Sequence, residues 1–161
     1  AVVGAMGCSD SVPPSAGAGL RLQISSAGSC PANPAQDDDV GKPAPDHGRN
    51  TVGGLIYDGE QGVRASCTVS GEGSFEINGT IRAPNVAFSI LNGTIGSDNA
   101  GTGNISFSTQ SISVNSTPCS LTAHEVGAGK LWASFQCFGM RFPPATVCSA
   151  NGEFILQNCG S

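Results

Sequence analysis

Charge is scarce in this sequence. Asp, Glu, Lys and Arg make up 12% of the 161 residues, about half the share of an ordinary globular chain. The seven basic residues are scattered, at Arg21, Lys42, Arg49, Arg64, Arg82, Lys130 and Arg141. Binding phosphates needs clustered Lys and Arg, and the net charge of −5 works against it, so nucleic acid is excluded as a partner. Aromatic residues are also few, at 6%, so the core must be built from aliphatic and small side chains. No apolar run approaches the ~18 to 20 residues of a membrane-spanning helix. No segment holds a 3.6-residue periodicity, so a helical fold is excluded. The closest cysteines, Cys137/Cys148 and Cys148/Cys159, are eleven positions apart. That is too far for the paired spacing of a structural zinc site. No cofactor is implied.

What is abundant is Gly, at 23 residues, together with Ser, Thr and Asn, the composition of an extracellular all-β domain. Period-two alternation recurs along the chain. Leu20, Leu22 and Ile24 alternate with Arg21, Gln23 and Ser25. The same pattern runs through Val63–Val69 and Phe75–Ile81, then through Val86–Ile90 after the Ala83-Pro84-Asn85 turn. Short pieces follow at Ile105–Phe107, Ile112–Val114 and Leu121–Ala123. After a turn at Gly127-Ala128-Gly129 come Leu131–Cys137 and Phe154–Leu156. About nine short strands punctuated by Gly and Asn predict an antiparallel β-sandwich or flattened barrel. Alternation through Asn78 and Gly79 predicts a continuous strand there, whereas Asn92-Gly93 reads as a turn.

The seventh cysteine sets the organisation. Cys8 follows the apolar run Ala1–Gly7 with a small residue directly before it, which looks like a bacterial lipobox, although Ala5 stands where Leu is usual. On that reading residues 1–7 are the remnant of a lipoprotein signal peptide and Cys8 carries the lipid. Residues 8–17, with Pro13-Pro14 among small polar side chains, form a flexible linker, and 18–161 is one disulfide-stabilised domain. Residues 31–50 hold Pro31, Pro34, Pro43 and Pro45 around Asp37-Asp38-Asp39, which predicts a long exposed acidic loop. Asp37, Asp38, Asp39 and Asp46 are weak calcium ligands at best, since adjacent aspartates on an extended chain point apart.

The remaining cysteines, Cys30, Cys67, Cys119, Cys137, Cys148 and Cys159, form three disulfides from fifteen possible pairings. Cys137 and Cys148 bracket a segment, Phe138–Val147, whose Gly and Pro residues read as a loop, and a bridge would fix its base. Cys30 and Cys119 then remain for each other. A rival scheme joins Cys119 to Cys137, which face each other on counting outward from the Gly127–Gly129 turn. Phe138, Met140 and Phe142 in that loop are the candidate contact surface for a protein, lipid or glycan, against the alternative that they plug one end of the fold. Trp132, between Leu131 and Ala133, reads as a packing or semi-exposed strand residue. Catalytic signals are thin. The two histidines are His47, in the Pro-rich loop, and His124, beside Glu125 on a strand with the two side chains facing opposite ways. A hydrolase needs one of them within reach of a Ser hydroxyl with an acid behind it.

The segments Val63–Gly79, with Ser66-Cys67 and Phe75-x-Ile77-x-Gly79, Trp132-Ala133-Ser134-Phe135-x-Cys137, and Gly152-Glu153-Phe154-Ile155-Leu156-x-x-Cys159 together span most of residues 51–159. This layout resembles small bacterial cell-envelope lipoproteins, above all uncharacterised ones of myxobacterial type. It is more loosely similar to small antigenic lipoproteins of mycobacteria, in which a strand cysteine pairs with one at the C-terminus. That resemblance implies a Cys67–Cys159 bridge and carries no catalytic residues. The expectation is a non-enzymatic protein held by its lipid in the cell envelope, at the outer membrane or cell surface rather than the inner membrane. Its role is structural or interactive. A lipid- or glycan-binding module is the alternative, and a hydrolase the remote one.

Overall fold

The computed structural model describes residues 12–25, 40–41, 54–110, 112–142 and 146–160, excluding the side chains of Ser25, Phe142 and Thr146. Nine strands carry the fold: β1 (Gly17–Ser25), β2 (Ile56–Tyr57), β3 (Arg64–Glu72), β4 (Ser74–Arg82), β5 (Val86–Ile95), β6 (Ala100–Thr109), β7 (Ser113–Gly127), β8 (Lys130–Phe142) and β9 (Thr146–Gln157). They form one antiparallel sheet in the order β2-β1-β9-β8-β7-β6-β5-β4-β3. From β3 to β9 the sheet is a meander, each strand pairing with the next, and β1 adds outside β9.

The sheet curls into a nearly closed barrel because its two ends meet. β2 and β3 are its edges, yet they are consecutive in the chain, joined by the turn at 58–63. Asp58 N–H donates to Ala16 O (2.8 Å), and the Asp58 carboxylate accepts from Ala65 N–H (2.9 Å), so one residue ties β1 to β3. Farther along the seam, the tip of the β7–β8 hairpin tucks between β3 and the C-terminal segment. Gly129 N–H donates to Val69 O, and Gly129 O accepts from Cys159 N–H, both at 2.9 Å. Gly129 has φ of +75°, which a residue with a Cβ adopts only at a cost. Val69 N–H donates to Gly160 O, and Gly160 N–H to Cys67 O, both at 3.0 Å. The Cys67–Cys159 disulfide makes the same seam covalent.

Inward positions are apolar and outward ones polar, the reverse of a lipid-embedded barrel. Leu20, Leu22, Ile77, Ile81, Ile90, Ile95, Ile105, Leu121, Leu131, Phe154 and Leu156 fill the interior, each at most 2% exposed. Phe88 sits 5.5 Å from Phe135 and 5.4 Å from Phe154 between ring centroids, all tilted, an arrangement aromatic rings favour. The barrel is flattened. A Cβ at Gly79 on β4 would lie 2.8 Å from the end of Leu156 on β9, strands that are not neighbours in the sheet.

β-bulges supply the curvature. The register shifts at Ile77/Gly79, Leu91/Thr94, Ile105/Phe107, Ala123/Glu125 and Cys137/Met140. Asn92-Gly93, expected as a turn, is one of these irregularities inside β5; Asn92 has φ of +51° and its N–H donates to Asn78 Oδ1 at 3.0 Å. The expected gap between Val114 and Leu121 is also absent, because β7 runs on through Pro118 just past a bulge. Pro tolerates that position better than a regular ladder.

The disulfides correct one expectation. Cys119 and Cys137 are register partners on β7 and β8 and are bonded to each other, so neither the Cys137–Cys148 nor the Cys30–Cys119 pairing forms. Cys148 is itself disulfide-bonded. The segment read as a loop between Cys137 and Cys148 is mostly hairpin, with β8 running to Phe142 and β9 resuming at Thr146. Of the acidic segment only Val40 and Gly41 are described. Val40 is buried, exchanging two 2.8 Å backbone hydrogen bonds with Leu20. Cys8, Cys30, Asp37, Asp38, Asp39, Asp46 and His47 lie outside the described residues.

Candidate functional site

The structure divides the expected contact residues. A bulge at Phe138-Gly139, where Gly139 has φ of +69°, shifts the inward positions by one residue. Met140 therefore enters the core at 1% exposure, while Phe138 stands out at 63%. The Phe142 side chain lies outside the described set. Phe138 and Met140 thus make no shared apolar surface.

Polar chemistry converges elsewhere, on the outer face of β1, β9, β8 and β7. Antiparallel register lays outward residues across the strands in rows. One row runs Arg21–Glu153–Ser134–Thr122 and the next Gln23–Asn151–Gln136–Ser120. These side chains line a groove of about 320 Å³. Within it Ser120 Oγ donates to Gln136 O at 3.3 Å. Arg21 and Glu153 are register partners but make no ion pair within 4.0 Å.

His124 and Trp132 border the groove. His124 is the extra residue of the Ala123/Glu125 bulge. Its ring lies 4.8 Å from that of Trp132, and its Nε2 shares a 2.5 Å hydrogen bond with Ser134 Oγ. Glu153 Oε1 lies 4.0 Å from the same nitrogen. The bulge also overturns the expectation that His124 and Glu125 face opposite ways. Inward positions are 119, 121 and 123 before it, but Val126 packs on the core after it, so Glu125 is turned outward like His124. Glu125 there accepts from Lys130 Nζ. Two buried polar atoms in this region have no hydrogen-bond partner, Glu153 Oε2 and Trp132 Nε1.

Ser, His and Glu together invite a hydrolytic reading, which the geometry does not complete. In a nucleophilic triad the serine meets one imidazole nitrogen and the acid orients the ring through the other. Here Ser134 and Glu153 approach the same Nε2. The strands around them are interior to the sheet, with backbone amides committed to the ladders, so they do not furnish a ready oxyanion hole. No group of three metal-ligating side chains occurs among the described residues. A second outer groove of about 300 Å³ lies over β4–β7, lined by Thr80, Ser89, Ser106 and Ser108 beside Leu91.

Alternation alone assigns Arg21, Gln23, Ser134 and Glu153 to outward positions. Their convergence depends on β1 joining β9, a long-range pairing no local pattern records. No protein-family model, curated protein or solved structure matches the chain.

Proposed function

We propose that this chain is a lipid-anchored bacterial envelope protein whose barrel works as a recognition domain and performs no catalysis. The observation that carries the reading is the distribution of chemistry. The interior is filled by apolar side chains, and the polar rows from Arg21 to Thr122 and from Gln23 to Ser120 lie outside, over a rigid four-stranded wall. Both grooves described lie on the outer face, whereas a lipid carrier needs an apolar cavity. A rigid sheet holding fixed donors and acceptors suits binding. The Ala1–Gly7 run before Cys8 supports the anchor. Mass spectrometry of the protein from its native membrane is expected to find a lipidated N-terminus at Cys8; an unmodified chain extending past Cys8 contradicts the anchor.

The 2.5 Å contact between His124 and Ser134 favours hydrolysis as the second reading. The two are separated by variants. His124→Ala and Ser134→Ala are expected to leave turnover of a panel of aryl esters at the background rate, and to change stability by about 1 kcal/mol or less, as for other surface positions. Parental turnover that either variant abolishes would establish the hydrolase instead.

A further inference from the structure

We infer that the groove on β1, β9, β8 and β7 binds an uncharged glycan; this rests on the recognition reading and names its ligand class. Hydrogen-bonding complementarity comes first. Gln23, Gln136 and Asn151 each present an amide that donates through NH₂ and accepts through C=O, Arg21 only donates, and ionised Glu153 only accepts. A ligand that satisfies such a mixture must donate and accept at closely neighbouring points, which is what vicinal hydroxyl groups do.

Charge narrows the class. Arg21 and Glu153 face each other across adjacent strands without pairing, so the groove carries both signs and favours neither a polyanion nor a polycation. Glu153 adds a direct demand. Its side chain lines the groove and is partly exposed there, so the carboxylate offers an acceptor to a donor in the groove. A sugar hydroxyl is such a donor, whereas a phosphate, sulfate or uronate oxygen would be repelled. Trp132, half-buried, occupies the next outward position of β8 from Ser134, beside the groove.

The alternatives fit less well. An extended peptide recognises a sheet through a free edge, but β7, β8 and β9 carry ladders on both sides, and the outer side of β1 is met by β2 at Gly17 and Ala18 and by Val40 at Leu20. A lipid tail needs an apolar wall, and the groove is lined mainly by polar side chains.

The test uses the full-length chain on an immobilised panel of neutral oligosaccharides (hexamers of glucose, mannose, xylose and N-acetylglucosamine). Heparin, polygalacturonate and vesicles of phosphatidylcholine with phosphatidylglycerol complete the panel. Binding to at least one neutral hexamer is expected. Gln136→Ala and Asn151→Ala should each weaken it by about tenfold with the melting temperature held, on the scale of a lost hydrogen bond or two. Glu153→Gln should weaken it as well. Ser89→Ala in the second groove should change nothing. The inference is overturned if no neutral hexamer binds, if binding is confined to heparin, polygalacturonate or vesicles, or if Gln136→Ala and Asn151→Ala bind as the parent does. Vesicle binding that Gln136→Ala and Asn151→Ala abolish would refute the glycan and keep the recognition reading. Ester turnover that depends on Ser134 would refute the recognition reading itself.

Discussion

Replacing Cys67 and Cys159 together with alanine is expected to lower the melting temperature by roughly 10 °C or more. The bridge spans 92 residues, and on the chain-entropy account a closed loop of that order is worth about 4 to 5 kcal/mol. For a domain of this size each kcal/mol moves the midpoint by about 2 to 4 °C. Position adds to the effect. The bridge joins β3 to the segment after β9, the two elements whose meeting closes the barrel. Without it the seam rests on hydrogen bonds, those among Cys67, Val69, Gly129, Cys159 and Gly160 and those of Asp58 with Ala16 and Ala65. The Cys119–Cys137 bridge spans only 18 residues and links strands already paired through a long ladder. Its double alanine variant is expected to lose about 1.5 kcal/mol less. Calorimetry of both variants checks the order, and equal midpoints for the two variants and the parent would show that the hydrophobic interior alone sustains the fold.

Phe154→Ala is expected to cost about 3 to 5 kcal/mol, the range for emptying a buried aromatic site. Phe154 is fully buried and packs with Phe88 and Phe135 in an aromatic cluster of the interior. Its neighbours sit on strands fixed by ladders on both sides, so collapse into the cavity is limited. Urea titration measures it. Phe138→Ala, at an exposed site eight residues before the second strand of the same hairpin, should change stability by about 0.5 kcal/mol or less.

Period two made most of the interior legible. Leu20 and Leu22, Val63 to Val69, Phe88 and Ile90, and Leu131 to Cys137 fall inward on the faces their alternation predicts, Cys67 only partly covered. Alternation fails where a bulge inserts a residue, because every later side chain then changes face. Asn92-Gly93 carries turn chemistry and serves as an irregularity in mid-strand. Gly139 shifts Met140 inward, and with the two prolines that follow it disguises a hairpin as a loop. That disguise is the origin of the mistaken Cys137–Cys148 pairing. The alternative, Cys119–Cys137, was readable by counting from the Gly127–Gly129 turn, since β7 and β8 are sequence neighbours. The groove was not readable, because Arg21 and Glu153 meet only through the pairing of the first strand with the last.

The most direct test of the outer face as the working surface is a ¹H–¹⁵N spectrum of the intact chain titrated with the neutral hexamer it binds best. Shifts are expected at Arg21, Gln23, Ser134, Gln136, Asn151 and Glu153, including the side-chain amides of Gln23, Gln136 and Asn151, while the interior positions Ile77, Ile90 and Leu156 stay in place. Shifts centred on those interior residues, or a spectrum unchanged at every groove position, would contradict it.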